Sequence, residues 1–192
     1  MYSALQKHCK KRVFRGFSLG EVLLAAFVLT VGVLALIALM TSSLKQTLES
    51  QNAIIATELA QEGIELVRNV RDNDFAAGND GFTEFSNADK HCHFDYDDTA
   101  VSLSDNCDPN QGAASAYYLQ YSGGLYEHSN INKERFSREI YIGYSLTGGS
   151  KSALVRSFVY WGSFRPLNNG NSTGCTVLNK CVFTEVTLTN WK

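Results

Sequence analysis

The chain has 192 residues, 44 % of them hydrophobic, enough for one packed domain plus an appendage. Its formal charge of -2 conceals an asymmetry. Residues 1–16 carry Lys7, Lys10, Lys11, Arg12 and Arg15 and no acid, so the remainder holds 17 − 5 = 12 basic against 19 acidic side chains, a formal charge of -7. A net-acidic body excludes binding of nucleic-acid phosphates over its general surface, because that binding needs clustered cations to release condensed counterions.

In chain order, residues 1–16 form a short basic segment and residues 17–72 contain no proline. The second segment reads as continuous helix, a break at Gly32 or Ser42–Ser43 being the alternative. Its first half is apolar on every side. Val22 to Met40 is a run of 19 residues without a charge, roughly 28 Å of helix against ~30 Å of hydrocarbon. This predicts a transmembrane part over 22–40. The basic residues before it place the N-terminus in the cytoplasm and the body outside. Beyond Met40 the helix becomes amphipathic. Leu44, Leu48, Ile55, Leu59, Leu66 and Val70 recur at steps of four and seven between Lys45, Glu49, Glu58, Glu65 and Arg68. Gly63 weakens this stretch by roughly 1 kcal/mol relative to alanine. The end is expected near "RDND", residues 71–74.

Residues 73–192 read as loops and strands. Period-two alternation runs through "ERFSREIYIGYS" (134–145), where Phe136, Ile140, Ile142 and Tyr144 share a face and Arg138 is the exception. It continues in "ALVRSFVYWGS" (153–163) and "CVFTEVTLTNW" (181–191), with a further strand in "AYYLQY" (116–121) and "GGLYEH" (123–128) after its turn. Gly148–Gly149 suits a hairpin. The fold class is therefore α+β: a long N-terminal helix packed on a C-terminal antiparallel sheet with one apolar face. Residues 78–116 read as a long surface excursion.

Cys9 lies in the basic segment. Cys92, Cys107, Cys175 and Cys181 lie in the body, and four cysteines in an oxidising compartment imply disulfides with three possible connectivities. The local one, Cys92–Cys107 with Cys175–Cys181, staples two Gly/Asn-rich loops and is preferred. The polar stretch around it invites a metal reading. His91, Cys92 and His93 lack structural-zinc spacing. Asp95, Asp97 and Asp98, with Asp105 and Asp108, are oxygen ligands suited to calcium, without a helix–loop–helix calcium motif. A solvated polar loop is the preferred reading. No phosphate loop and no nucleophile–base signature occurs, which argues against an enzyme and implies no cofactor.

The carboxylate Glu21 stands at the mouth of the apolar run, in "RGFSLGEVLLAAFVLTVG". This segment resembles the amino terminus of type IV prepilins and pseudopilins, and "VLTVGVLALIAL" is similar to the PilV-type minor pilins. Gly16, Phe17 and Glu21 match the family pattern residue by residue, and Ser18 and Leu19 fit its usual types. Gly20 departs mildly, and the proline that major pilins often carry further into the helix is absent. The resemblance implies cleavage between Gly16 and Phe17 by a prepilin peptidase, which would discard the leader 1–16. It also implies N-methylation at Phe17 and packing of residues 17–72 against other pilin subunits. Glu21 would then pair with an N-terminal amine, its own at i−4 or a neighbour's. The expected function is that of a minor pilus subunit, delivered to assembly machinery in the cytoplasmic membrane and displayed at the cell surface. Alternatives are a pseudopilin of a type II secretion or DNA-uptake system and a membrane-anchored surface binding module.

Overall fold

The computed structural model describes residues 16, 18–83, 85, 90–96, 107–108, 114–128, 135–162 and 170–190. The leader before Gly16, Phe17, Asp97, Asp98 and Asp105 lie outside the described residues. The chain divides into two units, 1–47 and 48–192, and one helix, α1 (Leu19–Ala76), contributes to both. No break occurs at Gly32 or Ser42–Ser43. The helix runs past the expected end because its stop signal is Gly78 and not the polar run before it. Gly78 takes φ 87. Its N–H bonds back to Phe75 O at 3.0 Å while the Asn79 N–H reaches Asp74 O at 3.1 Å. This glycine-closed pair of bonds satisfies the last carbonyls.

The body is α1 from Leu48 onward together with seven antiparallel strands: β1 (Lys90–Cys92), β2 (Cys107–Asp108), β3 (Tyr118–Ser122), β4 (Leu125–His128), β5 (Phe136–Thr147), β6 (Ser150–Trp161) and β7 (Cys181–Thr189). Strands β5 and β6 form the long central hairpin, with Thr147 opposite Ser150 across Gly148–Gly149. Those glycines hold φ 60 and 83, the left-handed pair that a two-residue turn demands. On one side β6 pairs with β7. On the other, β5 pairs first with β3 through Phe136 and Ser137 and then with β1 through Ile140 to Ile142. Residues Ala114–Tyr117 form a 3-10 turn, so the strand expected from residue 116 begins at Tyr118.

The helix meets the sheet through Ala56, Leu59, Ala60, Gly63, Ile64, Val67 and Val70. Of the stripe expected from the large apolar residues, Leu59 and Val70 are buried here and the others are not. Leu44 and Leu48 are exposed, and Ile55 and Leu66 only flank the core. Small residues occupy the middle because the helix backbone lies close against β5 and β6. A methyl at Gly63 would come within 2.3 Å of Ser157 Oγ and 3.2 Å of Arg138 Cδ. The glycine that weakens the helix in isolation is what admits the sheet.

The core is in two parts. Near the start of β5 lie Ala56, Leu59, Ala60, Leu119, Phe136, Val159 and Trp161. Further along lie Ile64, Val67, Val70, Phe82, Phe85, Cys92, Phe94, Ile140, Ile142 and Val155. Between them Gly63 of the helix lies against Arg138 of β5 and Ser157 of β6, a polar row across an otherwise apolar interface.

Two expectations are corrected. The stretch 78–116 is not a surface excursion throughout, since Phe82, Phe85, His91, Cys92 and Phe94 are buried. Nor does the sheet have a single apolar face. Tyr141, Phe158 and Tyr160 form a second buried cluster on its far side, covered by Cys175 and Cys181.

Candidate functional site

The helical segment from Leu19 to Thr47 begins where Ser18 O accepts from the N–H groups of Glu21 at 2.9 Å and Val22 at 3.2 Å. No residue in its most apolar stretch is buried. Large hydrophobic side chains there range from 45 % exposed at Val33 to 80 % at Leu19. The segment is long and apolar enough to cross a membrane. Its threonine hydroxyls are satisfied internally, Thr30 Oγ1 donating to Phe27 O at 2.8 Å, Thr41 Oγ1 to Ile37 O at 2.9 Å and Thr47 Oγ1 to Ser43 O at 2.9 Å. That is the requirement hydrocarbon imposes on polar groups.

Glu21 lies in the first turn, where the helix dipole favours an acid by roughly 0.3–1 kcal/mol. Added side-chain atoms at Gly16 or Gly32 would meet nothing within 4 Å, and at Gly20 only Ser18 Oγ at 3.6 Å. Packing among the described residues therefore gives no reason for glycine at these positions, in contrast to Gly63. Phe17 being outside the described residues, its relation to Glu21 stays an expectation.

The body contains a second constellation, which the sequence flagged only as an exception to alternation. Arg138 is 0 % exposed. Its Nη1 donates to Glu62 Oε1 at 2.9 Å and weakly to Leu59 O at 3.5 Å, while Nη2 donates to Phe94 O at 2.7 Å and lies 3.8 Å from Asp95 Oδ1. One guanidinium thus ties the helix, β5 and the chain after β1 together. Asp95 in turn accepts from the His128 backbone N–H at 3.0 Å through both oxygens and meets His128 Nδ1 at 2.7 Å. The other ring nitrogen faces Arg138 O at 3.3 Å.

The calcium candidates therefore separate. Asp95 is already engaged by His128, Asp97 and Asp98 are outside the described residues, and no metal-ligating group of three or more occurs among the described residues. The solvated-loop reading of residues 91–96 is corrected in the same way, because His91 and Phe94 are buried.

Burial works against the Asp95 charge. The His128 ring and backbone hydrogen bonds, with the charges of His128 and Arg138, outweigh it and hold the carboxyl below its ordinary value. A depressed folded-state value gives stability that is complete above the unfolded value, ~3.9, and is lost as pH falls through the folded one. Urea unfolding between about pH 7 and about pH 3 should show Asp95→Asn to be less stable than wild type at neutral pH, with the gap closing in acid. A gap independent of pH would remove the carboxylate from this account.

On the far face, His91 Nδ1 and Glu139 Oε1 lie 2.5 Å apart and both residues are buried. Burial first, then the Glu139 charge, pushes the Tyr160 phenol well up, so it stays protonated. The disulfides are Cys92–Cys107 and Cys175–Cys181, the local connectivity. The first belongs to the main core beside Ile140 and the second closes the far face. These groups are structural in geometry: the polar side chains turn inward on one another.

No protein-family model matches the chain, and no curated protein or solved structure matches it either.

Proposed function

We propose that the chain is a structural minor subunit of a type IV pilus, made as a precursor, cleaved between Gly16 and Phe17, methylated at Phe17 and assembled through its N-terminal helix. One observation carries the reading. A membrane-length apolar helical segment is exposed among the described residues and is headed by an acid in its first turn. Lipid supplies the partner before assembly, and neighbouring helices supply it afterwards. The same helix changes character beyond Leu48 and seals a sheet, which joins anchor and displayed body in one element.

Gly16 supports the processing step. Nothing among the described residues requires a residue without a side chain there, whereas a close-fitting protease site does. The partners are then other pilin subunits, the prepilin peptidase, the methyltransferase and the assembly machinery in the cytoplasmic membrane. No catalysis of its own is assigned.

The test is the mature N-terminus. Mass spectrometry of the membrane-extracted protein should find a chain beginning with N-methylated Phe17. An intact leader in cells that hold an active prepilin peptidase overturns the reading.

A further inference from the structure

We propose that Asn171 is an attachment site for an N-linked oligosaccharide. The proposal rests on the reading above only for its topology, in which the body stands outside the cytoplasm. The segment is Asn171-Ser172-Thr173. It has the amide and the hydroxyl two residues on that N-glycosylation requires, with serine and not proline between them. Such a triplet arises easily by chance; what distinguishes this one is how it is held.

The triplet forms the crown of a short arch on the far side of the sheet, and both feet of the arch are buried. Gly170, at φ 63, lies close against the Tyr141 ring, where an added methyl would stand 2.3 Å from Cδ1. Its carbonyl accepts from Arg156 Nη1 at 2.8 Å. At the other foot Cys175 is bonded to Cys181 and packs with Tyr141, Phe158 and Tyr160. Its N–H donates to Ser172 O at 3.0 Å. Between the feet Asn171 and Thr173 are exposed and Ser172 is half-buried.

At the crown Asn171 Oδ1 accepts from the Thr173 backbone N–H at 3.0 Å and from Thr173 Oγ1 at 2.5 Å. Asn171 Nδ2 makes no hydrogen bond among the described residues. A cap of this kind needs only an oxygen at 171, which aspartate or serine would also supply, and a backbone N–H at 173. Capping therefore accounts for Oδ1 and leaves two groups over, the Nδ2 amide and the Thr173 hydroxyl.

Those two groups are the ones glycan transfer uses. An amide nitrogen is a poor nucleophile because its lone pair is shared with the carbonyl. Two hydrogen bonds to Oδ1 stabilise negative charge on that oxygen, so an Nδ2 proton is given up more readily. The co-reactant is an oligosaccharide carried on a lipid pyrophosphate and presented by a membrane-bound transferase. Nδ2 attacks the anomeric carbon of the first sugar and the N–C bond forms. The bond from that carbon to the pyrophosphate oxygen breaks, and the lipid pyrophosphate leaves with the bonding electrons. The Nδ2 proton passes to a carboxylate of the transferase, and nothing is oxidised or reduced. The two disulfides suit the body to an oxidising compartment, away from the cytoplasm.

The experiment uses the full chain, extracted from membranes of cells that hold an active oligosaccharide transferase. After reduction and trypsin digestion, the peptide 157–180 is sequenced by fragmentation that keeps sugars attached. Wild type should carry a carbohydrate mass on Asn171. Asn171→Asp keeps the capping oxygen and removes the nucleophile, and Thr173→Val keeps the backbone N–H and removes the hydroxyl; both should lose the carbohydrate. Recovery of the Cys175–Cys181 bond in each variant shows that the arch has folded. An unmodified wild-type peptide in a protein whose body is cut by protease added outside intact cells overturns the site and spares the topology. Carbohydrate that persists in Asn171→Asp belongs to a hydroxyl and also overturns the site. An unmodified peptide in a body that external protease does not reach overturns the topology, and the site with it.

Discussion

Replacing Arg138 by alanine should cost the body roughly 3–5 kcal/mol of stability, the range seen when one partner of a buried charged network is removed. The loss has three sources. Phe94 O would lose a donor at 2.7 Å in a site closed to water. Asp95 would lose a cation at 3.8 Å while remaining partly buried. A cavity would open on the row that separates the two halves of the core. Glu62 contributes least, being 43 % exposed and free to hydrate. Arg138→Met should therefore recover the part due to volume and leave the part due to unsatisfied acceptors, while Glu62→Gln should cost no more than about 1 kcal/mol. Urea unfolding of the detergent-solubilised chain reads this directly, followed by the fluorescence of Trp161, which shares the core with Leu59. An Arg138→Ala midpoint close to wild type would mean that the guanidinium does not fasten helix to sheet.

Arg138 also marks how far the sequence could be read. Strong periodic segments were legible: the helix, the β5–β6 hairpin about Gly148–Gly149, the alternation of β7, and a local disulfide pairing. These depend on neighbours in the chain, and neighbours are what a sequence displays. The helix face that seals the sheet is displaced from the line of leucines and isoleucines that the sequence displays. Ala56, Ala60 and Gly63 lie at its centre because close approach, not hydrophobicity, decides that position.

The polar constellations were hidden by distance along the chain. His91 and Glu139 are 48 residues apart, Asp95 and His128 are 33 apart, and Glu62 and Arg138 are 76 apart. No local pattern announces such pairs. The one signal was negative: an arginine where alternation asks for an apolar residue, on a strand too regular to be out of register. Asp95, conspicuous among acids, suggests an ion, whereas it is engaged by a histidine at the end of β4.

For a pilus subunit of the kind proposed, Glu21→Val should leave the amount of protein in the membrane unchanged and reduce the amount in sheared fibres by roughly tenfold or more, equivalent to at least ~1.4 kcal/mol of assembly energy. The two readouts separate the roles open to this acid. As a charge directed toward hydrocarbon, Glu21 opposes insertion by perhaps ~2.5–3.5 kcal/mol, so valine cannot make insertion worse on that account. As a first-turn acid it favours the helix by less than about 1 kcal/mol, too little to unwind an apolar helix of this length. Pairing with the amine of its own Phe17, at i−4, is an intramolecular contact, and losing it would alter every subunit alike before assembly. Pairing with the amine of a neighbour exists only in the fibre, and its loss appears only there. Glu21→Gln sharpens the distinction, because it keeps a hydrogen-bond acceptor and removes the charge. Recovery with glutamine would make the contact a matter of hydrogen bonding, and continued loss would make it an ion pair. If valine is incorporated as well as the wild type, Glu21 has no part in assembly, and the dipole of its own helix is the remaining reason for an acid at that position.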